Sequence, residues 1–155
     1  MESLVGWSGF FRHLTQNALL HKPPLGFFRN FVVESKGEHR NKFDIKQAML
    51  PVVDYARVYA LKHGIGETNT LDRLHSLLDI GELREGLHDE AVKVYDYLMQ
   101  LRLAHQVRAV DRDEPPGNDI DPKELTHIEE TLLKQAFAQI ANIQKKVSFD
   151  FLGSA

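Results

Sequence analysis

Apolar residues recur every three or four positions along almost the whole chain, an interval that places them on one face of an α-helix. The pattern predicts five helices, with approximate bounds Ser3 to His21, Asp44 to His63, Thr68 to Gly81, Leu87 to Val110 and Thr126 to Val147. Thr126 and Glu129 have the spacing of a capping box at the start of the last helix. No segment shows the alternation expected of a half-buried strand. We therefore predict an all-α protein, and the mostly short connections favour an antiparallel helical bundle.

Prolines and polar loops mark where these helices end. Pro23 and Pro24 stop the first helix, whereas Pro51 lies inside the second helix and predicts a kink or a break. The apolar stretch from Leu25 to Val33 is predicted to pack as an extended arm. The loop from Asp111 to Pro122 holds three prolines and five acidic residues, so it separates the fourth helix from the fifth.

Composition and charge limit the class of protein. The 155 residues are 43% hydrophobic and 26% charged, which is enough for one domain with its own core and excludes a disordered chain. A balance of 19 basic and 22 acidic residues does not favour nucleic acid as a partner. The absence of cysteine excludes thiol catalysis and cysteine-ligated metals. No apolar run reaches the about 18 residues of a membrane span, and we expect a cytoplasmic protein.

The fourth helix carries polar side chains on its predicted core face. Its solvent face is marked by four polar residues: Asp89, Lys93, Asp96 and Gln100. At 100° per residue, Arg102, His105 and Gln106 then project inward. A buried guanidinium needs a partner, so Arg102 meets a carboxylate such as Asp44 or Asp54, a group of carbonyl oxygens, or a bound anion. The first alternative is a structural ion pair, and the last is a ligand site.

The second helix has polar residues that match those of the fourth. Lys46, Asp54 and Arg57 lie away from its apolar sector, and Asp54 can pair with Arg57 three positions later. This side is either a solvated surface or one wall of a polar furrow between two helices, where bundles often bind ligands. The predicted substrate-binding residues of that furrow are Lys46, Asp54, Arg57, Arg102, His105 and Gln106.

Other patterns with chemical potential are better explained by structure. Two Asp-x-Asp pairs, which begin at Asp111 and Asp119, lie in the proline-rich loop without the phosphate cradle that a catalytic magnesium site needs. The eight histidines lack the spacing of a zinc site. The aromatic residues around Arg29, namely Phe27, Phe28 and Phe31, are suited to stacking bases or to packing in the core, and we favour the core. We expect no catalytic residue and no metal ligand in this chain.

Several blocks of sequence, taken together, resemble a known family. They are Pro24-Leu25-Gly26-Phe27-Phe28, Gly37-Glu38-His39, Phe43-Asp44-Ile45-Lys46, Val53 to Leu61, Thr68-Asn69-Thr70-Leu71 with Arg73-Leu74, and Leu101-Arg102-Leu103 with His105-Gln106. In this order and over about Leu20 to Ile143, they resemble the putative nucleotidyltransferase substrate-binding domain. The resemblance implies a helical bundle similar to the C-terminal bundle of kanamycin nucleotidyltransferase, which helps to hold the acceptor substrate.

The resemblance also implies a larger context. Members form the C-terminal part of bacterial signalling proteins that carry CBS or cyclic-nucleotide-binding modules and a nucleotidyltransferase domain resembling PII uridylyltransferase. We expect residues 1–22 to lead from such an upstream domain and residues 23–150 to form the substrate-binding domain. The partners implied are these upstream domains and an acceptor protein or small molecule, and a homodimer is a further expectation.

The catalytic half of such an enzyme is missing from this sequence. Its transferase domain needs a Gly-Ser turn followed by Asp-x-Asp, whereas the only Gly-Ser pair here is Gly153-Ser154, after both Asp-x-Asp pairs. Magnesium and a nucleoside triphosphate are therefore expected in the missing domain and not in this chain. The resemblance implies that the predicted cations, Lys46, Arg57, Arg102 and His105, hold an anionic acceptor or nucleotide phosphates. Asp54 and Gln106 would orient them.

Two other functions compete with this interpretation. Arg57 and His63 are separated by five residues, as in the Arg/His motif of HEPN-like ribonucleases, which cleave RNA by acid-base chemistry. The third alternative is an interaction or dimerisation module without a ligand site, which an exposed apolar strip would favour.

Overall fold

The computed structural model describes residues 8–26, 30–35, 37 and 40–153, and within them the chain is mostly helical. The elements are α1 (Ser8–Ala18), β1 (Phe43–Asp44), α2 (Ile45–Lys62), α3 (Thr70–Asp79), α4 (Glu85–Asp111), β2 (Asp119–Ile120), a short 3₁₀ turn (Pro122–Glu124) and α5 (His127–Leu152). In these ranges the other four α-helices pack around α2 as an all-α bundle, which confirms the predicted fold class.

The core of the bundle has two adjoining parts along α2. The first surrounds its N-terminal half and is centred on Phe137 of α5, whose ring meets the rings of Phe31 and Phe43 edge-on at 6.2 and 5.9 Å. The second surrounds its C-terminal half and is centred on Tyr55 and Tyr59, whose rings lie 4.8 Å apart. Because α2 contributes to both parts, it is the central helix that its broad apolar sector predicts.

The helix boundaries follow the sequence prediction closely, with one correction at Pro51. Of the kink or break predicted at Pro51, the break is wrong, since α2 continues as one helix from Ile45 to Lys62 with Pro51 buried inside it, and the kink stays a prediction. Packing of this central helix on its neighbours offsets the loss of one backbone hydrogen bond. The capping box at the start of α5 is confirmed: Thr126 Oγ1 accepts from the Glu129 amide at 3.2 Å, and Glu129 Oε2 accepts from the Thr126 amide at 2.8 Å.

Two short pairings were not predicted. Phe43 pairs with Ile120 in a two-residue antiparallel ladder, which ties the start of α2 to the loop that follows α4. The predicted extended arm after α1 instead folds back, because Leu25 bridges Phe31 and the Gly26 amide donates to the Asn30 carbonyl at 2.7 Å. Segments this short have no periodicity from which pairing can be predicted.

Some predictions concern residues outside the described ranges. The proposed start of the first helix, from Ser3 to Trp7, lies there, as do Phe27, Phe28 and Arg29 of the arm. Within the described part of the chain, Phe31 packs on Phe43 and Phe137, which favours the core interpretation of that aromatic group. None of the helices in the described ranges is both long and apolar enough to cross a membrane.

Candidate functional site

A buried carboxylate on α2 is the centre of the first polar group. Asp54 is only 8% exposed, and its Oδ1 accepts a hydrogen bond from Arg57 Nη1 at 2.8 Å, which confirms the predicted pairing along the helix. Its second oxygen, Oδ2, lies 3.5 Å from Nδ1 of His21, in the segment after α1. Arg73 of α3 is close enough to Arg57 for their charges to repel each other. We call His21, Asp54, Arg57 and Arg73 the α2 cluster.

The electrostatics of the α2 cluster are dominated by burial. Burial raises the pKa of Asp54, and the positive charge of Arg57 and the contact with His21 oppose this rise. A buried carboxylate whose ionised form is disfavoured needs cationic neighbours to keep its charge. Arg57 and His21 therefore favour the ionised form of Asp54.

Two guanidinium groups, those of Arg57 and Arg73, bring positive charge to the α2 cluster. Arg73 Nε donates to the Glu67 carbonyl at 2.7 Å, which holds the side chain at the start of α3. Burial lowers the pKa of Arg73, and the positive charge of Arg57 lowers it further, so the two cations are close enough to repel each other. The Arg57 side chain is 43% exposed, and its charge is therefore accessible from solvent. The site combines two like charges with one buried carboxylate.

A second polar group joins α4 to the loop before β2, near the start of α2. We call Arg102, Gln106 and Asn118 the α4 cluster. Arg102 Nε donates to Asn118 Oδ1 at 2.8 Å, and Gln106 Nε2 donates to the same oxygen at 3.4 Å. The Asn118 carbonyl accepts from the Ile45 amide at 2.9 Å. The Arg102 guanidinium thus meets an amide oxygen from the loop before β2.

The two carboxylates considered as partners of Arg102 have other roles. Asp44 Oδ1 accepts from the Gln47 amide at 3.0 Å and caps α2. Asp54 binds Arg57 and approaches His21. Within the described ranges, the structural ion pair expected for Arg102 is therefore not formed with Asp44 or Asp54, and the neutral Asn118 replaces it.

In the described ranges, no contact joins the six predicted site residues into one continuous group. The contacts join Asp54 to Arg57, and they join Arg102 to Gln106 through Asn118, but no contact in the described ranges connects the two groups. Asp54 lies nine residues beyond Ile45, which touches Asn118, and this separates the clusters by about 13 Å along the helix axis. The remaining two are Lys46, which is exposed on α2, and His105 of α4.

His105 opens on a concavity beside the loop after α4. Its volume is about 360 Å³, and its lining has both signs of charge, including Lys42 and Arg112 against Glu114 and Glu124. Because the lining charges offset one another, this concavity selects no single class of ion. The α2 cluster differs from it, because two guanidinium groups and one carboxylate leave an excess of positive charge that favours an anion.

The exposed side of α4 carries an apolar strip. Its members are Met99, Leu103, Val107 and Val110, and Leu103 is the most exposed at 62%. Intervals of four, four and three residues keep these side chains within one sector of about 80°, away from the sector of Leu98 and Leu101. We call these four residues the α4 strip. An exposed apolar row of this kind is the feature that the interaction-module alternative requires.

Comparison with protein families identifies the domain. The sequence model of the family described as "putative nucleotidyltransferase substrate binding domain" matches residues 8–151. The chain belongs to this family. Searches of curated proteins and of solved structures find no match. Both clusters lie inside the matched range, so they are parts of the substrate-binding domain and not of an appended segment.

Sequence reasoning missed three residues of these clusters as site residues. His21, Arg73 and Asn118 lie outside α2 and α4, and only the folded substrate-binding domain brings them to these helices. Arg73 lies in one of the sequence blocks that carry the family resemblance. That position draws attention to the residue, but it does not indicate which side chains lie near it. For His21 and Asn118 the sequence offers no comparable signal.

The residues of the ribonuclease alternative have separate partners. Arg57 binds Asp54, while His63 Nε2 lies 3.4 Å from Glu82 Oε1 at the other end of α3. No contact within the described ranges joins Arg57 to His63. Those ranges also contain no group of three or more side chains arranged to hold a metal ion.

Proposed function

We propose that this substrate-binding domain positions an anionic group, on the acceptor or on the nucleotide, for a transfer carried out by a separate catalytic domain. In that reaction an acceptor atom attacks the α-phosphate of a nucleoside triphosphate, and pyrophosphate leaves. The domain contributes orientation and not a chemical group of its own. Holding two reactants in the correct geometry contributes several kcal/mol to lowering a barrier, up to about 7–11 kcal/mol in model reactions.

One observation carries this proposal: two guanidinium groups are close enough to repel each other, and only one of them is paired with the buried carboxylate. Arg57 is bound to Asp54, whereas Arg73 is held through Nε by a carbonyl oxygen and no other hydrogen bond to it is found in the described ranges. Guanidinium groups bind phosphate and carboxylate through paired, charge-assisted hydrogen bonds. An anion between Arg57 and Arg73 would remove the repulsion between them.

The finer context of the proposal comes from the family resemblance. We place the domain after a catalytic domain similar to PII uridylyltransferase, which supplies magnesium and the nucleoside triphosphate, and after CBS or cyclic-nucleotide-binding modules. This is a cytoplasmic signalling protein of bacteria in our proposal. Lys46 and the α4 cluster, with His105 beside it, would then contact the acceptor at a distance from the α2 cluster.

Binding of inorganic pyrophosphate to the 155-residue chain tests the role of the α2 cluster. We expect Arg57→Gln and Arg73→Gln each to weaken binding by about tenfold or more, because each removes a charge-assisted hydrogen bond worth about 1.5–3 kcal/mol. The measurement is a nuclear magnetic resonance titration that follows the guanidinium signals of Arg57 and Arg73.

The matched control is Arg84→Gln. Arg84 is exposed and makes no side-chain hydrogen bond at the start of α4, so its loss should leave the affinity for pyrophosphate unchanged. A thermal melt of each variant separates weaker binding from loss of the fold. Equal affinities in all three variants, or no binding by the parent chain, would refute the proposed role of the cluster.

The α4 strip favours a second candidate function, a dimerisation module. We propose a second copy of the chain as its occupant, because two copies related by a twofold axis present the same apolar row to each other. Sedimentation velocity should then show a dimer that Leu103→Glu converts to a monomer without a change in helix content. Asp96→Lys, on the polar side of α4, is the charged control. A monomeric parent chain at high concentration would exclude this function.

A further inference from the structure

The contact between His21 and Asp54 is incomplete. The distance of 3.5 Å between Nδ1 and Oδ2 exceeds the 2.7–3.2 Å of a normal N–H···O bond. Nδ1 of His21 is sealed from solvent and has no hydrogen-bond partner in the described part of the chain. The main chain at this residue is fixed, since Gln144 of α5 donates to the His21 carbonyl. The imidazole is thus placed beside the carboxylate without binding it fully.

The other oxygen of Asp54 is occupied by Arg57. This bond is 2.8 Å long, and the positive charge of Arg57 opposes the rise in the pKa of Asp54 that burial causes. An anion that enters the α2 cluster meets Arg57, whose side chain is 43% exposed and whose Nη1 already donates to Asp54. The internal carboxylate and the ligand therefore compete for one cation.

We infer that a phosphoryl dianion binds between Arg57 and Arg73 by displacing Asp54 from Arg57, and that Asp54 then closes on His21, which takes up one proton from solvent. The inference rests on the proposed function and names its ligand class. In the exchange, the Arg57–Asp54 hydrogen bond is replaced by bonds from Arg57 to the ligand and from His21 Nδ1–H to Oδ2. The buried carboxylate keeps a cationic partner throughout, so its charge is never left uncompensated.

The groups that act on this exchange come from four parts of the fold. They are His21 from the segment after α1, Asp54 and Arg57 from α2, Arg73 from α3, and the neutral Gln144 from α5. Binding and protonation are then coupled: the ligand favours protonated His21, and protonated His21 favours the ligand by the same factor. Slightly acidic conditions would strengthen binding of the acceptor or nucleotide.

Inorganic sulfate is the probe that tests this exchange. It has the shape and the double charge of a phosphoryl dianion, and it carries no proton that titrates near neutral pH. Ring ¹⁵N signals of His21 are recorded at fixed neutral pH with and without saturating sulfate. We expect the ratio of protonated to neutral His21 to rise by about fivefold or more, the lower end of coupling between linked sites. His13, exposed on α1, is the internal reference.

Asp54→Asn is the decisive variant. Asparagine keeps an oxygen that Arg57 can bind, so the fold is retained, but it has no charge for His21 to compensate. We expect this variant to bind sulfate at least about fivefold more tightly and to show less than half of the change in His21 protonation. The direct electrostatic attraction between His21 and the anion is present in the parent chain and in the variant. It therefore cancels when the two proteins are compared.

Each result has one meaning. If sulfate shifts the Arg57 and Arg73 signals but changes His21 equally in both proteins, the exchange is wrong while the proposed function stands. If Asp54→Asn weakens sulfate binding, Asp54 orients Arg57 and does not compete with the ligand, so the inference is also wrong. If sulfate does not bind, the inference fails, and the pyrophosphate titration decides the proposed function separately.

Discussion

Phe137→Ala is expected to lower the free energy of unfolding by about 3–5 kcal/mol, the usual cost of removing a fully buried aromatic side chain. Phe137 is fully buried in α5, where its ring meets Phe31 edge-on at 6.2 Å and Phe43 edge-on at 5.9 Å. Alanine leaves a cavity at the point where the arm after α1, the start of α2 and α5 meet. Urea denaturation followed by circular dichroism measures the loss as a lower midpoint at an unchanged slope.

Phe149→Ala is the matched control for this prediction. Phe149 lies on the same helix, but its side chain is 65% exposed, so its removal should change the unfolding free energy by no more than about 0.5 kcal/mol. Similar losses in both variants would mean that α5 is stabilised by helix propensity and not by packing around Phe137. A loss below about 1 kcal/mol for Phe137→Ala would contradict the core described above.

The position of Phe137 also shows why most of the fold could be predicted. The apolar interval of three and four residues gives the helices, and the four polar residues of α4 that were predicted to face solvent are exposed. These features depend on local sequence. The pairing of Phe43 with Ile120 depends on residues 77 positions apart in a two-residue ladder, which has too few residues to produce a pattern.

The candidate site was predicted less well for the same physical reason. Asp54 and Arg57 were paired correctly because an interval of three residues fixes their geometry on one helix. Arg102 was correctly expected to need a partner, but the choice of Asn118 depends on how the loop after α4 folds onto α2. Residue spacing allows Asp54 and Arg102 to lie on facing sides of two helices, but it fixes neither that arrangement nor their relative height along the helices.

The two buried tyrosines of α2 allow a paired test of the second part of the core. The Tyr59 hydroxyl donates to Asp150 Oδ2 on α5, and burial together with this bond raises the pKa of Tyr59, so the hydroxyl stays protonated and donates. The Tyr55 hydroxyl is buried four residues earlier and has no hydrogen-bond partner in the described ranges. The two side chains are alike in burial, and their hydroxyl groups differ in this one bond.

Tyr59→Phe is therefore expected to cost about 1.5–3 kcal/mol, the range for a hydrogen bond to a charged group. The lower end applies because Asp150 keeps its ion pair with Lys146, in which Nζ and Oδ2 are 2.6 Å apart. Tyr55→Phe should be neutral, or stabilising by up to about 1 kcal/mol, because it removes a buried hydroxyl that gains no compensating bond. Both phenylalanines keep the ring contacts, so the difference between the two unfolding free energies isolates the bond to Asp150. Equal effects would show that this bond does not tie α5 to α2, and the ring packing alone would then hold the two helices together.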